Sequence, residues 1–175
     1  YVGGAYEDDK KPSWEPEAGI WAPDINYING KYVMYYSLSK WGGGATCGIG
    51  VSVSDKPEGP FTDQGKLFRS NEIDVHNSID PFYIEDDGKK YLFWGSWYGI
   101  WGVELTEDGL GLKGGIENAK ATKIQVAANT GGTNAYEGSY ILKRGKYYYL
   151  FCSTGTCCDG ANSTYQTVVC RSTEL

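Results

Sequence analysis

Hydrophobic and polar positions alternate along this chain in short runs, and one order of events recurs three times. An extended segment reaches a glycine turn and is followed at once by an aromatic strand. The three turns are Asn29-Gly30-Lys31 before Tyr32-Val-Met-Tyr-Tyr, Asp87-Gly88-Lys89-Lys before Tyr91-Leu-Phe-Trp, and Gly145-Lys146 before Tyr147-Tyr-Tyr-Leu. Apolar alternation bounded by such turns reads as β-hairpins. The first unit is predicted to hold strands over 25–27, 32–39 and 48–54, with the Gly42-Gly43-Gly44 loop between the last two. It exits through Asp55-Lys-Pro-Glu-Gly-Pro60, with 61–68 leading outward. The second unit is predicted over 82–84, 91–96 and 99–105, and the third over 140–142, 147–153 and 165–170. No stretch shows sustained helical periodicity, and no apolar run approaches the length of a membrane span. Residues 112–135, rich in Gly, Asn and Thr, are predicted to be connecting loop and outer strand.

An acid precedes each turn. Asp24, Asp80 and Glu137 lie 56 (24 to 80) and 57 (80 to 137) residues apart. A strand-built repeat of that length predicts all-β propeller blades, with units at about 13–70, 71–128 and 129–175. Blades run around one axis, so the three acids are expected to share one site. The competing reading is that each acid caps a loop by accepting backbone N–H bonds. Three blades do not close a ring, and an open propeller exposes unpaired strand edges. The chain opens on Tyr1-Val-Gly-Gly and stops just after a strand, so it is read as the interior of a larger protein. Missing blades or a second copy of the chain are expected to cover the edges.

Composition narrows the chemistry. Fifteen Tyr, six Trp and 25 Gly against a single Met suit short strands and tight turns. The net charge of −6 comes from dispersed acids, which leaves no basic stripe for nucleic acid and favours a neutral polymer over an anionic one. The five cysteines lack repeated zinc-ligand spacing. They read either as an oxidised set, which fits a secreted or periplasmic protein, or as buried thiols. Cys152 and Cys170 are placed on adjacent strands, and Cys157 and Cys158 in one loop. Trp21, Trp41 and Trp97, with Tyr98, are candidate stacking platforms for sugar rings. Asn77, Ser96 and Ser163 are candidate hydrogen-bonding groups, and the lone His76 reads as a pocket-wall or surface residue rather than a metal ligand. No metal site or cofactor is identifiable from the residues.

Five ordered motifs carry a resemblance. Trp21-Ala-Pro-Asp24-Ile, Asn77-Ser-Ile-Asp80-Pro, Trp94-Gly-Ser-Trp-Tyr-Gly-Ile100, Glu137-Gly-Ser-Tyr-Ile141 and Cys157-Cys158-x-Gly160-x-x-Ser163-Thr-Tyr165 together resemble family 43 of the glycoside hydrolases. Within it they are most similar to endo-1,5-α-L-arabinanases, over about 13–175. The resemblance implies a five-bladed β-propeller, of which this chain covers about three blades. It also implies inverting hydrolysis of arabinan or a related plant cell-wall polysaccharide, with Glu137 as general acid. Asp80 would be the carboxyl that orients Glu137 and raises its pKa by like-charge repulsion. Inversion further needs a carboxylate that activates water. The family carries that base upstream, in a His-Asp-Pro-like motif, and it is not identifiable here; Asp8 and Asp9 lie in a Lys-flanked polar run. A central calcium ion faced by a histidine of the fifth blade would belong to the complete protein. The alternatives are an exo-acting arabinanase, an arabinofuranosidase, a β-xylosidase, or a non-catalytic carbohydrate-binding propeller.

Overall fold

The computed structural model describes residues 3–128 and 135–175. Within them the chain forms three antiparallel sheets in sequence order. The first comprises β1 (Gly19–Ile28), β2 (Lys31–Ser39), β3 (Gly48–Ser54) and β4 (Thr62–Arg69). The second comprises β5 (Phe82–Asp86), β6 (Lys89–Trp94), β7 (Ile100–Glu104) and β8 (Ile124–Ala127), and the third β9 (Glu137–Arg144), β10 (Tyr147–Thr154) and β11 (Gln166–Ser172). Each sheet is a meander whose neighbours in sequence are neighbours in space. The first strands of successive sheets lie against one another, β1 by β5 and β5 by β9, so the sheets stand as consecutive blades.

Apolar cores sit between the blades. In β6 successive side chains point to opposite faces. Leu92 and Trp94 therefore join the core shared with the first blade, where Tyr35, Ile49, Val51 and Phe68 are buried. Phe93 between them faces the other way, into the core shared with Ile141, Leu150 and Cys152 of the third blade. This two-sided burial explains why the second strand of each unit reads as a continuous aromatic run rather than a clean alternation. Polar groups also tie the blades together. The Tyr35 hydroxyl donates to the Gly109 carbonyl at 2.8 Å, and Asp86 accepts from the Tyr148 hydroxyl at 2.6 Å and from Lys143.

Among the described residues two short α-helices depart from the expectation of strand and loop alone: α1 (Ser70–Ile73) and α2 (Gly115–Thr122). The second falls inside the stretch predicted as connecting loop. Its left-handed Gly114 entry and its two core contacts, buried Ala119 and partly buried Ile116, leave too narrow an apolar stripe to detect. The outer strand expected in the same stretch is β8, while 129–134 lie outside the described residues.

The repeat is more regular than the acids indicated. The hairpin turns at Asn29, Asp87 and Gly145 lie 58 residues apart (29 to 87, 87 to 145), all with positive φ. On that register Asp24 is equivalent to Phe82 and Tyr140, so the 56- and 57-residue spacing of acids does not mark equivalent positions. The equivalent set is Ala22, Asp80 and Gly138, all left-handed, at φ 44, 61 and 61. A register shift between Trp21 and Asp24 in β1, and another at Glu137 in β9, place a bulge at this point. The Gly95 N–H bond to the Ile79 carbonyl, 2.9 Å, continues the pattern in the second blade. Bulges re-aim side chains, and the re-aimed position in the second blade is Asp80.

Gly50 tests the packing within the first blade. A Cβ built there would lie 2.3 Å from the ring of Tyr36, which is fully buried. Gly50→Ala is expected to destabilise the protein by about 2–3 kcal/mol through overpacking. Urea unfolding checks this, and an unchanged midpoint would contradict the packing described.

Candidate active site

A cleft of about 590 Å³ opens where the three blades meet, lined by Trp21, Trp41, His76, Asn77, Asp80, Ser96, Trp97, Tyr98 and Glu137, among others. The structure therefore brings together Asp80, Glu137 and all three of the tryptophans singled out from the sequence. Asp80 stands on the bulge ahead of β5, and its backbone N–H donates to the Ser37 hydroxyl at 3.0 Å. Glu137 opens β9 and accepts a hydrogen bond from the Ser96 hydroxyl at 2.9 Å on Oε2. The Tyr165 hydroxyl donates to its Oε1.

Asp24 does not belong to this group. Its carboxylate accepts the backbone N–H of Tyr83 at 2.7 Å and the Asn26 amide at 3.0 Å, and it is not among the cleft-lining residues. The loop-capping role open to any turn-side acid is the one it plays, across a blade junction. Burial holds its carboxyl above the ordinary range, opposed by these two hydrogen bonds.

Burial, and then the negative charge of Glu137, push the Asp80 carboxyl up to about 7, while a bond from the Gly138 backbone N–H pulls in the opposite direction. The like-charge repulsion expected between the two carboxyls is mutual, and it acts on Asp80 in this geometry. In an interacting pair the proton belongs to both groups, so a proton is retained beside Glu137 close to neutral pH.

The remaining candidates fall into two groups. Trp41 is 78% exposed at the mouth of the cleft, its ring 6.4 Å from that of Trp21. Trp97 takes a left-handed backbone at φ 66, and its N–H donates to the Tyr136 carbonyl at 3.0 Å. These present ring surface to a ligand. Asn77 is instead tied into the wall: its N–H reaches the Gly44 carbonyl at 2.7 Å and its amide the Ser96 carbonyl at 3.3 Å. Ser163 accepts the Asp159 N–H and is not among the cleft-lining residues. His76 lies in the cleft wall, edge-on to Tyr98 at 4.5 Å.

Asp8 and Asp9 sit on a solvated turn, Asp8 bonded to Lys11 at 2.9 Å and Asp9 paired with Lys10 at 3.3 Å. Asp8 lines a separate hollow of about 580 Å³ beside Tyr6 and Met34, and that hollow contains neither Asp80 nor Glu137. Neither acid supplies a base to the cleft in this geometry. Among the described residues no group of three or more His, Cys, Asp or Glu is arranged to hold a metal ion.

Three cleft residues escaped the reading of individual residues. Cys157 and Cys158 are joined in a disulfide between adjacent residues, and both line the cleft. Cys47, Cys152 and Cys170 are free thiols; Cys152 and Cys170 do lie on adjacent strands, but Cys152 stands opposite Val168 and Cys170 opposite Leu150. Tyr165 appeared only as part of a motif, and contact with Glu137 across 28 residues leaves no local signal in the chain.

The Asp80 assignment has a pH signature. A carboxyl raised when folded stabilises the protein below its unfolded pKa, and that contribution is lost as pH rises toward 7. Asp80→Asn removes the loss. Its stability advantage over the parent is expected to grow by about 2 kcal/mol from pH 4 to pH 8, discounted from a linkage ceiling of about 4 kcal/mol. Denaturant melts across that range check it; parallel curves would remove the raised carboxyl from the description.

The family model described as Glycosyl hydrolases family 43 matches residues 1–175. Arabinan endo-1,5-alpha-L-arabinosidase A of Aspergillus niger is 34% identical over 98% of this chain and 54% of its own length. Extracellular endo-alpha-(1->5)-L-arabinanase 1 of Bacillus subtilis is 36% identical over 89% of this chain and 46% of its own. The solved structure of Cellvibrio cellulosa alpha-L-arabinanase complexed with arabinohexaose superposes with a TM-score of 0.79 at 30% identity, covering 100% of this chain and 60% of that one. The chain thus spans about half the length of the curated relatives it matches. With three consecutive blades of a five-bladed β-propeller, it belongs to family 43 of the glycosyl hydrolases.

Proposed function

We propose that the protein hydrolyses α-1,5-linked arabinofuranosyl bonds of arabinan with inversion, Glu137 serving as general acid. The observation that carries this is the meeting of Glu137 and Asp80 in one cleft rimmed by Trp21, Trp41 and Trp97. The names of the relatives, arabinan endo-1,5-alpha-L-arabinosidase and endo-alpha-(1->5)-L-arabinanase, and the arabinohexaose in the Cellvibrio complex support arabinan as the substrate.

Each residue has a defined task. The tryptophan faces bury the apolar faces of furanose rings and set the scissile bond over the acids. Glu137 gives its proton to the departing glycosidic oxygen, which would otherwise leave as an alkoxide. Asp80 disfavours a second negative charge in the same space, so the pair keeps a proton while substrate binds. A water on the opposite ring face attacks the anomeric carbon as the leaving oxygen departs, and a carboxylate facing that water takes its proton. Asp80 and Glu137 lie on the acid side, so the base comes from outside the cleft residues described. The extracellular relative and the disulfide in the cleft support a secreted location.

Two substitutions test the reading. Glu137→Gln is expected to lower kcat on linear 1,5-arabinan about a thousandfold with KM little changed, since a carboxamide cannot donate the proton. Wild-type-like turnover would sink the assignment. Trp41→Ala is expected to raise KM about fivefold with kcat nearly unchanged, because the ring acts on bound substrate and transition state alike. Product analysis by chromatography then separates the modes of attack: mixed oligosaccharides mark internal cleavage, and a single product from chain ends marks exo action.

A further inference from the structure

We propose that Tyr165 is a positioning residue for Glu137: its hydroxyl, presented by the 155–165 loop, fixes which carboxyl oxygen faces the substrate. This rests on Glu137 being the acid. Two hydroxyls from different blades grip the carboxyl, Ser96 of the second at Oε2 and Tyr165 of the third at Oε1. With one oxygen held on each side, rotation about the terminal bond of Glu137 is blocked and the remaining lone pairs turn toward the cleft.

The loop that delivers Tyr165 is internally knit. The Thr164 N–H bonds to the Thr156 carbonyl at 3.0 Å, and the Thr156 N–H returns to Thr164 Oγ1 at 3.0 Å. Gly155, at φ +100, lets the two arms approach so closely that a Cβ there would lie 2.6 Å from the Thr164 carbonyl oxygen. Farther along, the Asp159 N–H bonds to the Ser163 hydroxyl at 3.0 Å, next to the Cys157–Cys158 disulfide. Tyr165 is 44% exposed, so packing alone does not hold its ring. Burial, and then its bond to Glu137, raise its pKa, which keeps the hydroxyl a donor throughout the working range.

The donor has a direction that kinetics can read. A hydroxyl donating to a carboxylate favours the ionised form, so its removal lets the Glu137–Asp80 pair hold its proton to higher pH. For Tyr165→Phe the expected result on 1,5-arabinan is a kcat about tenfold lower with KM within about twofold. The basic limb of kcat/KM against pH moves upward by about half a unit. Replacing Tyr165 with 3-fluorotyrosine, a stronger donor of the same shape, is expected to move that limb downward. Unmoved limbs in both variants, or a rise in KM with kcat intact, would overturn the proposal and make Tyr165 a substrate contact or a packing residue. A parallel assay separates this from failure of the acid assignment. Glu137→Ala is expected to retain most activity on an arabinooligosaccharide bearing a dinitrophenolate leaving group, which needs no protonation. Equal loss on both substrates removes Glu137 as acid, and the proposal falls with it.

Discussion

Burying Asp80 beside Glu137 without a paired cation is the constraint on which the rest of the site depends. Neither carboxyl takes part in an ion pair among the described residues, so their repulsion is left to be resolved by a proton and by neutral donors. The fold supplies those donors from separate blades: the Gly138 N–H to Asp80, and the Ser96 and Tyr165 hydroxyls to Glu137. An arginine or lysine at the same place would relieve the strain and hold both groups ionised, which removes the acid. The two carboxyls are useful because the protein leaves them partly uncompensated.

The rigidity needed to hold such a pair comes from the blade junctions. Leu92 and Trp94 look one way and Phe93 the other, so a single strand belongs to two cores and couples three blades. Asp24 and Asp86 add charged acceptors across the same junctions. Asp24 and Asp86 thus stitch blades, each satisfied by donors of the next blade, whereas Asp80 and Glu137 face the cleft.

How much of this was legible in the sequence follows from the range of each interaction. The hairpins were legible because Asn29-Gly30 and Asp87-Gly88 impose their geometry locally, and the aromatic strands follow at once. Matching acid to acid misplaced Asp24, because the bulges of the first strands move Asp80 and Glu137 off the positions that simple spacing assigns. Aligning the turns instead would have paired Asp80 with Ala22 and Gly138. Helix α2 was illegible because its apolar face is no wider than Ile116 and Ala119. The Tyr165 hydroxyl bond was out of reach because it joins the two ends of a blade whose loop conformation no local pattern encodes.

The set Ala22, Asp80 and Gly138 shows how this architecture can acquire chemistry. All three occupy the same left-handed bulge, 58 residues apart, although the side chains there are a methyl group, a carboxylate and a hydrogen atom. The backbone path is therefore a property of the blade and not of the residue it displays. A left-handed position strains alanine and is better tolerated by aspartate and glycine. Each blade thus offers a prebuilt socket, and in the second blade that socket opens on the cleft. A duplicated blade inherits the socket with its geometry already fixed, and changing what stands in it requires no new fold.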